Sequence, residues 1–316
     1  TTTFADMYYH EDQVAKAVEK AGLRAVLTQG TIEISDPKLG ETTLKNSINF
    51  ATKYHGYADG RVTTRLGPHT VYTCSPKLLT KVREVASRLN LGIHIHLAES
   101  KEMIEEVKQK YGFTEVELLR KIGFLGPDIL AAHCIHLTKK EMQLLAAHNV
   151  KVAHNPVANM KLAQGTAKIE NLRDLGVIVG LGTDGPASNN TLDMFETMKI
   201  AALLQKLTYL NPTVLSAYEV LKMATVDGAK ALGIDRNVGS LEVGKRADII
   251  LIDISKPHLK PLHNIYASLV YSAHGSDVDT VAVDGKILME NQEVKALDEK
   301  AVMEEAEKTA SDLLSR

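Results

Sequence analysis

The stretch GIHIHLAES, residues 92–100, decides the fold. Two histidines stand two apart in an apolar run, and a glutamate follows the second by three residues. On a strand, side chains repeat every second residue, so His94 and His96 share a face about 6–7 Å apart. A His-x-His pair on a strand is a familiar way to hold a metal. Whether both histidines do so here depends on where this strand falls in the chain.

Outward from it, one rhythm recurs: a short apolar run, a polar or Gly/Pro-marked turn, then an amphipathic stretch. The strand candidates are residues 3–9, 24–30, 61–69, 92–99, 129–136, 150–156 and 177–185. Helical patterns separate them. HEDQVAKAVEKAG (10–22) has apolar residues at Val14, Ala17, Val18 and Ala21 and a stop at Gly22, which reads as a solvated helix with one buried face. SPKLLTKVREVASRLN (75–90) opens with Ser at the N-cap and Pro in the first turn. TKKEMQLLAAHN (138–149) opens as a capping box.

Strand–helix alternation of this kind means parallel strands joined by helices. The expected fold is α/β, a (β/α)₈ TIM-type barrel of which this chain shows seven units where closure needs eight. An open doubly wound sheet is the rival, but it concentrates function at one switch point. Here His69, His96, Glu99, His133, His136, His154 and Asp184 gather at the C-terminal ends of five strand candidates. Helical segments follow at 191–207 and 213–232, and then the texture changes. Residues 239–254 and 278–294 read as short strands with turns at Gly244-Lys245 and Asp284-Gly285. The expected organisation is a barrel over 1–232, a partial β-sandwich over 233–294, and a C-terminal helix within 295–316.

Composition narrows the function classes. A formal net charge of -2 with 24% charged residues gives no electrostatic case for nucleic acid or an anionic membrane surface. No apolar run approaches the length of a membrane span. Two cysteines, Cys74 and Cys134, are too few for a disulfide framework, so a reducing, cytoplasmic setting is the default. A homo-oligomer is compatible with a chain of this size.

Taken singly, each strand-end histidine reads as a hydrogen-bonded core residue, and Asp184 in GLGTDG reads as a turn or helix cap. Taken together they do not. Independent structural histidines should not close four successive strand candidates and be followed by an aspartate at the last. A carboxylate at a buried strand end is costly unless it is paired or binds a metal.

HIHLAES, AAHCIHLT, VAHNPVANMKLAQG and GLGTDGPASNNTLDMFETMK, in that order, resemble the amidohydrolase superfamily. Within it the chain is most similar to the methylthioadenosine/S-adenosylhomocysteine deaminases and their chlorohydrolase-like relatives. MATVDGAKALG and GSLEVGKRADIILID are also typical of that group. The resemblance implies one divalent metal ion, zinc in the first place, with His96 and Asp184 as ligands. It implies that Asp184 also takes a proton from the attacking water and that Glu99 protonates the purine ring nitrogen beside the reacting carbon. His133 would orient the water and the leaving amine. His69 would face the substrate base, and Gln29 would lie near the substrate. The implied partner is a small purine nucleoside, and the implied activity is hydrolytic release of ammonia.

The chemistry is coherent. Exchanging an aromatic amine for oxygen needs a hydroxide at neutral pH, which a bound Zn²⁺ supplies by acidifying water. The ring must accept electrons, so protonating a ring nitrogen merits a dedicated acid.

Two departures from the pattern matter. The superfamily supplies two further ligands from a His-x-His on its first barrel strand, upstream of FADMYYHE, and that motif is not in this chain. The chain opens in mid-strand pattern, so the expectation is that it omits about 90–100 residues of its parent. By its place, GIHIHLAES is then the single-histidine strand, with His96 the ligand and His94 packing deeper in the barrel. Second, relatives that grip the amino-acid tail of S-adenosylhomocysteine tend to offer arginine after the third barrel strand. Here that strand ends LTQG with Gln29, and the loop that follows has lysines only. Lysine does not replace arginine for bidentate carboxylate binding, which favours methylthioadenosine or adenosine.

Alternatives are a guanine or triazine aminohydrolase on the same scaffold, and an inert fragment lacking the His-x-His ligands. Binuclear amidases are disfavoured because VTTRLGPH offers no lysine for carboxylation.

Overall fold

Alternating inward and outward side chains on parallel strands build the wall of the molecule. A computed structural model describes residues 1–315. Its main sheet runs β1 (Thr3–Tyr8), β2 (Arg24–Thr31), β3 (Val62–Pro68), β4 (Gly92–Leu97), β5 (Ile129–His133), β6 (Lys151–His154) and β7 (Val179–Leu181). The strands pair in chain order, and every pairing is parallel. These are the seven expected strands, and β1 and β7 form the two edges of the sheet. Their ends are nevertheless close. Burial raises the Asp6 carboxyl on β1, and the charge of Asp184 beyond β7 adds to the rise. The sheet is therefore a curled, open barrel wall.

β4 shows how the sequence writes the two faces. Ile93, Ile95 and Leu97 are fully buried in the apolar layer between sheet and helices, while His94 and His96 alternate to the concave side. Leu79, Val82 and Ala86 of the helix Pro76–Leu89 belong to the same layer. That helix starts where expected because Ser75 accepts the Leu78 N–H, and Asn90 closes it in a left-handed turn. The helix Lys139–Ala147 opens with the full Thr138/Glu141 capping box.

The segment 213–232 differs from the single helix its pattern predicts. It forms two short helices, Ala217–Met223 and Val226–Leu232, broken at Thr225. The Thr225 hydroxyl donates to the Leu221 carbonyl, competing with the helical backbone. Tight packing sets the second piece: a Cβ on Gly180 of β7 would stand 3.0 Å from the Cα of Gly228.

A second, antiparallel sheet follows in the order β11-β10-β9-β8. Its strands are β8 (Ile249–Ile252), β9 (Val278–Val283), β10 (Lys286–Glu290) and β11 (Glu293–Val294). Asp284-Gly285 and Asn291-Gln292 make its tight turns, each with both residues at positive φ. The expected strand content of 239–248 is not found. The N–H groups of Lys245, Arg246 and Asp248 go to local carbonyls of Glu242, Asn237 and Arg246, so the segment is a loop. The C-terminal helix Glu299–Leu314 has no buried residue. The last residue of its predicted range, Arg316, lies outside the described residues. No described helix is long and apolar enough to cross a membrane.

Ion pairs of a single arginine tie the small sheet to the large one, the shortest of them to Asp248. Arg24 at the start of β2 donates to both oxygens of Asp248, at 2.8 and 3.0 Å, and the Asp248 side chain is only 2% exposed. Arg24→Ala should destabilise the protein by about 3 kcal/mol, because it leaves a buried carboxylate unpaired. Thermal unfolding of Arg24→Ala against the Arg24→Met/Asp248→Leu double variant checks this. The double variant should recover most of the loss.

Candidate active site

Left-handed backbone at non-glycine residues marks the C-terminal rim of the sheet. Ala98, His133, Cys134 and Asp184 have φ of 50, 69, 52 and 62°. Each such residue costs on the order of 1–3 kcal/mol, and strain of this kind persists where the surrounding structure enforces it.

His133 shows what the strain does. Its register partner on β4 is Leu97, which faces the helices. The left-handed turn at His133 swings its ring the other way, to stack on His96 at 5.6 Å between ring centres. His133 Nδ1–H donates to Asn159 Oδ1 at 2.8 Å, which leaves Nε2 with its lone pair. That Nε2 stands 3.9 Å from Glu99 Oε1 and 4.0 Å from Asp184 Oδ2. These separations are too long for hydrogen bonds. They are short enough that one water-sized reactant touching one group is within reach of the other two.

His96 lies beside this trio. Its Nδ1–H donates to the His69 carbonyl at 2.8 Å, and its backbone N–H donates to the same oxygen at 3.0 Å. The tautomer is thereby fixed and Nε2 keeps its lone pair, the usual condition of a metal-ligating imidazole. Burial lowers the His96 pKa, and nearby His133 adds to the fall, while the carboxylates of Glu99 and Asp184 oppose it. A ring held neutral next to two carboxylates is a donor set of the kind zinc takes. Among the described residues, however, no group of three or more His, Cys, Asp or Glu side chains is arranged to hold a metal ion.

Asp184 owes its position to two features of GLGTDG. Gly182 passes so close to Asn155 that a Cβ would stand 2.4 Å from Asn155 Oδ1. Beyond it, the Asp184 Oδ1 accepts the Gly185 N–H at 2.6 Å, and Asn189 Nδ2 donates to the Thr183 carbonyl. Oδ2 is the oxygen that faces His133. Glu99 is held on both sides, by Ala98 at the end of β4 and by Ser100, which caps the helix Lys101–Tyr111.

The other expected residues have separate places. His69 stands against His96 at 5.0 Å between ring centres, with Nδ1 bonded to Thr73 Oγ1 at 3.0 Å. Burial pushes its pKa down to about 4, so it is neutral. His94 lies deeper on β4, 6.1 Å from the His96 ring, with Nδ1 unpartnered. His136 is turned away and donates from Nε2 to the Gln164 carbonyl. His154, at the end of β6, is fully buried with both ring nitrogens unpartnered. Gln29 is at the end of β2, where its Oε1 accepts the Glu11 N–H at 3.3 Å.

Two residues were missed. Asn159 in VANMK orients His133, and only the shortness of the helix Pro156–Lys161 could have hinted that it faces inward. Glu11 opens the helix read as a solvated surface element, yet it is fully buried. Its Oε1 accepts the Tyr8 N–H at 3.0 Å, and Oε2 has no partner. Burial pushes its carboxyl from 4.5 up to about 8, with the charge of Asp6 adding.

Between pH 4.5 and 8 the unfolded chain has lost this proton and the folded chain keeps it, so Glu11 lowers stability as pH rises through that window. Its contribution is at most about 1.4 kcal/mol per pH unit. The Glu11→Gln variant removes it, so its gain in thermal midpoint over the parent should grow steadily from pH 5 to 8. A pH-independent difference would mean that Glu11 is charged in the folded state.

Comparisons with known proteins identify the family of the chain. A family model described as Amidohydrolase family matches residues 1–288. A 5'-deoxyadenosine deaminase of Methanosarcina acetivorans is 51% identical over 316 residues, all of this chain and 73% of the relative. A 5-methylthioadenosine/S-adenosylhomocysteine deaminase of Moorella thermoacetica is 51% identical over 298 residues, 94% of this chain and 69% of the relative. The crystal structure of an adenosine deaminase from Xanthomonas campestris with bound zinc superposes with a TM-score of 0.93 at 30% identity, covering 100% of this chain and 72% of that one. An atrazine chlorohydrolase from Arthrobacter aurescens, also complexed with zinc, gives 0.90 at 25% identity, covering 98% and 72%.

Proposed function

We propose, from the premise that this chain belongs to the amidohydrolase family, that it catalyses hydrolytic deamination of adenosine derivatives. Its products are ammonia and the inosine-type nucleoside. The observation that carries the reading is the meeting of His133 Nε2 with Glu99 at 3.9 Å and Asp184 at 4.0 Å, from the ends of three strands. Relatives named as 5'-deoxyadenosine and methylthioadenosine/S-adenosylhomocysteine deaminases support the substrate class.

His96 Nε2 and the Asp184 carboxylate are the groups of this chain that would hold a divalent metal, zinc by preference. That ion, when bound, supplies the Lewis acidity that lets water attack at neutral pH. The chain's own residues do the rest. His133, fixed by Asn159, orients the attacking water through Nε2. Asp184 takes the water's proton and returns it to the departing amine. Glu99 gives a proton to the purine ring nitrogen next to the reacting carbon, so the ring can accept the electron pair, and recovers one from the new hydroxyl as the product carbonyl forms. His69, neutral and set against His96, presents its ring to the base. Gln29 borders the nucleoside at the end of β2. The absence of arginine from the loop after β2 favours a 5' substituent without a carboxylate, so methylthioadenosine, 5'-deoxyadenosine and adenosine rank ahead of S-adenosylhomocysteine.

Ammonia release from these four nucleosides, with metal analysis of the same sample, tests the reading. Release from at least one, dependent on about one divalent metal per chain, is expected. Metal-replete protein that releases ammonia from none of them, or only from guanine or a triazine, would overturn it.

A further inference from the structure

We propose that Glu115 is a positioning residue, which sets the catalytic geometry of Glu99 and His133 by clamping the peptide of Ala98. The inference rests on the roles proposed above for those two residues. Glu115 is the first residue of the helix Glu115–Lys121, where an acidic side chain suits the helix dipole and ordinarily faces water. Here it is 3% exposed and turns inward, and its Oε2 accepts the Ala98 N–H at 2.6 Å.

The carbonyls on either side of that N–H are equally engaged. The Ala98 carbonyl accepts the N–H groups of both Ile135 and His136 at 3.0 Å, and the Leu97 carbonyl accepts the Cys134 N–H at 2.9 Å. Ala98 itself is left-handed, with φ of 50°. One strained residue thus links the end of β4, where Glu99 follows it, to the end of β5, where His133 precedes Cys134. The carboxylate of Glu115 is the side chain that holds its N–H. Burial pushes that carboxyl up to about 7, the Ala98 N–H opposes the rise, and the charge of Glu99 adds to it. The clamp needs only an acceptor oxygen, which either protonation state provides.

A helix-capping role for Glu115 would be equally served by its neighbour. Glu117 closes the Thr114 capping box on the same helix without touching Ala98. The test therefore compares Glu115→Ala, Glu115→Gln and Glu117→Ala in the metal-loaded enzyme. Glu115→Ala should lower kcat roughly 10- to 100-fold with KM changed little, as misplaced reacting groups do. Glu115→Gln, which keeps an acceptor oxygen, should recover most of that loss. Glu117→Ala should lower the thermal midpoint and leave kcat within about twofold.

Amide hydrogen exchange supplies a readout independent of turnover. Protection at Ala98 should fall by about tenfold or more in Glu115→Ala and be retained in Glu115→Gln. Unchanged protection at Ala98, or a kcat for Glu115→Ala within twofold of the parent, would overturn the proposal. So would equal impairment of Glu115→Gln and Glu115→Ala. Were the parent itself to deaminate no nucleoside, the deamination reading would fail, while the exchange data would still decide whether Glu115 holds Ala98.

Discussion

The Asp184→Asn variant is expected to lower kcat for nucleoside deamination by about 10³-fold, roughly 4 kcal/mol of transition-state stabilisation. The substitution is chosen to isolate chemistry from fold. Asp184 sits at φ 62°, a conformation that asparagine adopts more readily than other side chains. The Asn Oδ1 can still accept the Gly185 N–H that the aspartate accepts now. What the amide cannot do is take a proton from water and hand it to the amine, and it is a poorer metal donor than a carboxylate. Steady-state kinetics with methylthioadenosine, paired with metal analysis and the thermal midpoint, checks this. The midpoint of the metal-free protein should hold while kcat falls, and metal occupancy should drop or demand a higher metal concentration. Turnover within tenfold of the parent at full occupancy would remove Asp184 from the proton path.

The same residues show how far the sequence could be read. The concave face was legible because strand period is rigid: His94 and His96 had to share a face, and position along the strand separated the rim residue from the deeper one. Asp184 was legible because a carboxylate closing an apolar run needs a reason. The inward turn of His133 was not, since alternation puts it on the face of Leu97 and only the left-handed backbone at 133 and 134 reverses this. Such φ values in non-glycine residues leave no local mark, because tertiary contacts impose them. Glu11 was hidden for a related reason. In the first turn of an amphipathic helix a glutamate reads as dipole-friendly and solvated, and its burial follows from how the helix abuts the end of β1. The loop at 239–248 carried strand-like residues but makes only isolated backbone bonds, such as the Gly285 N–H to the Ala247 carbonyl, and no continuous ladder, and strand propensity depends on that neighbour.

Glu99→Gln should be as damaging as Asp184→Asn, with a loss in kcat of about 10³-fold, and the choice of substrate separates the two roles. Glutamine keeps the volume of the side chain between Ala98 and the Ser100 cap, so the end of β4 should retain its shape. It cannot donate an acidic proton to a ring nitrogen. Adenosine loses ammonia, which must leave protonated, whereas 6-chloropurine riboside loses chloride, which needs no proton. Both rings must still accept an electron pair when water attacks. If Glu99 serves the ring nitrogen, the variant is impaired to a similar extent on both substrates. If it serves the leaving group, the chloride substrate escapes the loss. If Asp184 serves both the water and the amine, Asp184→Asn should show part of the opposite pattern, because return of a proton to the amine is dispensable for chloride while removal of the water's proton is not. Comparing kcat for both variants on both nucleosides therefore tests which carboxylate faces the ring and which faces the departing amine. A Glu99→Gln enzyme that turns over the chloride substrate at the parental rate would exchange the two assignments.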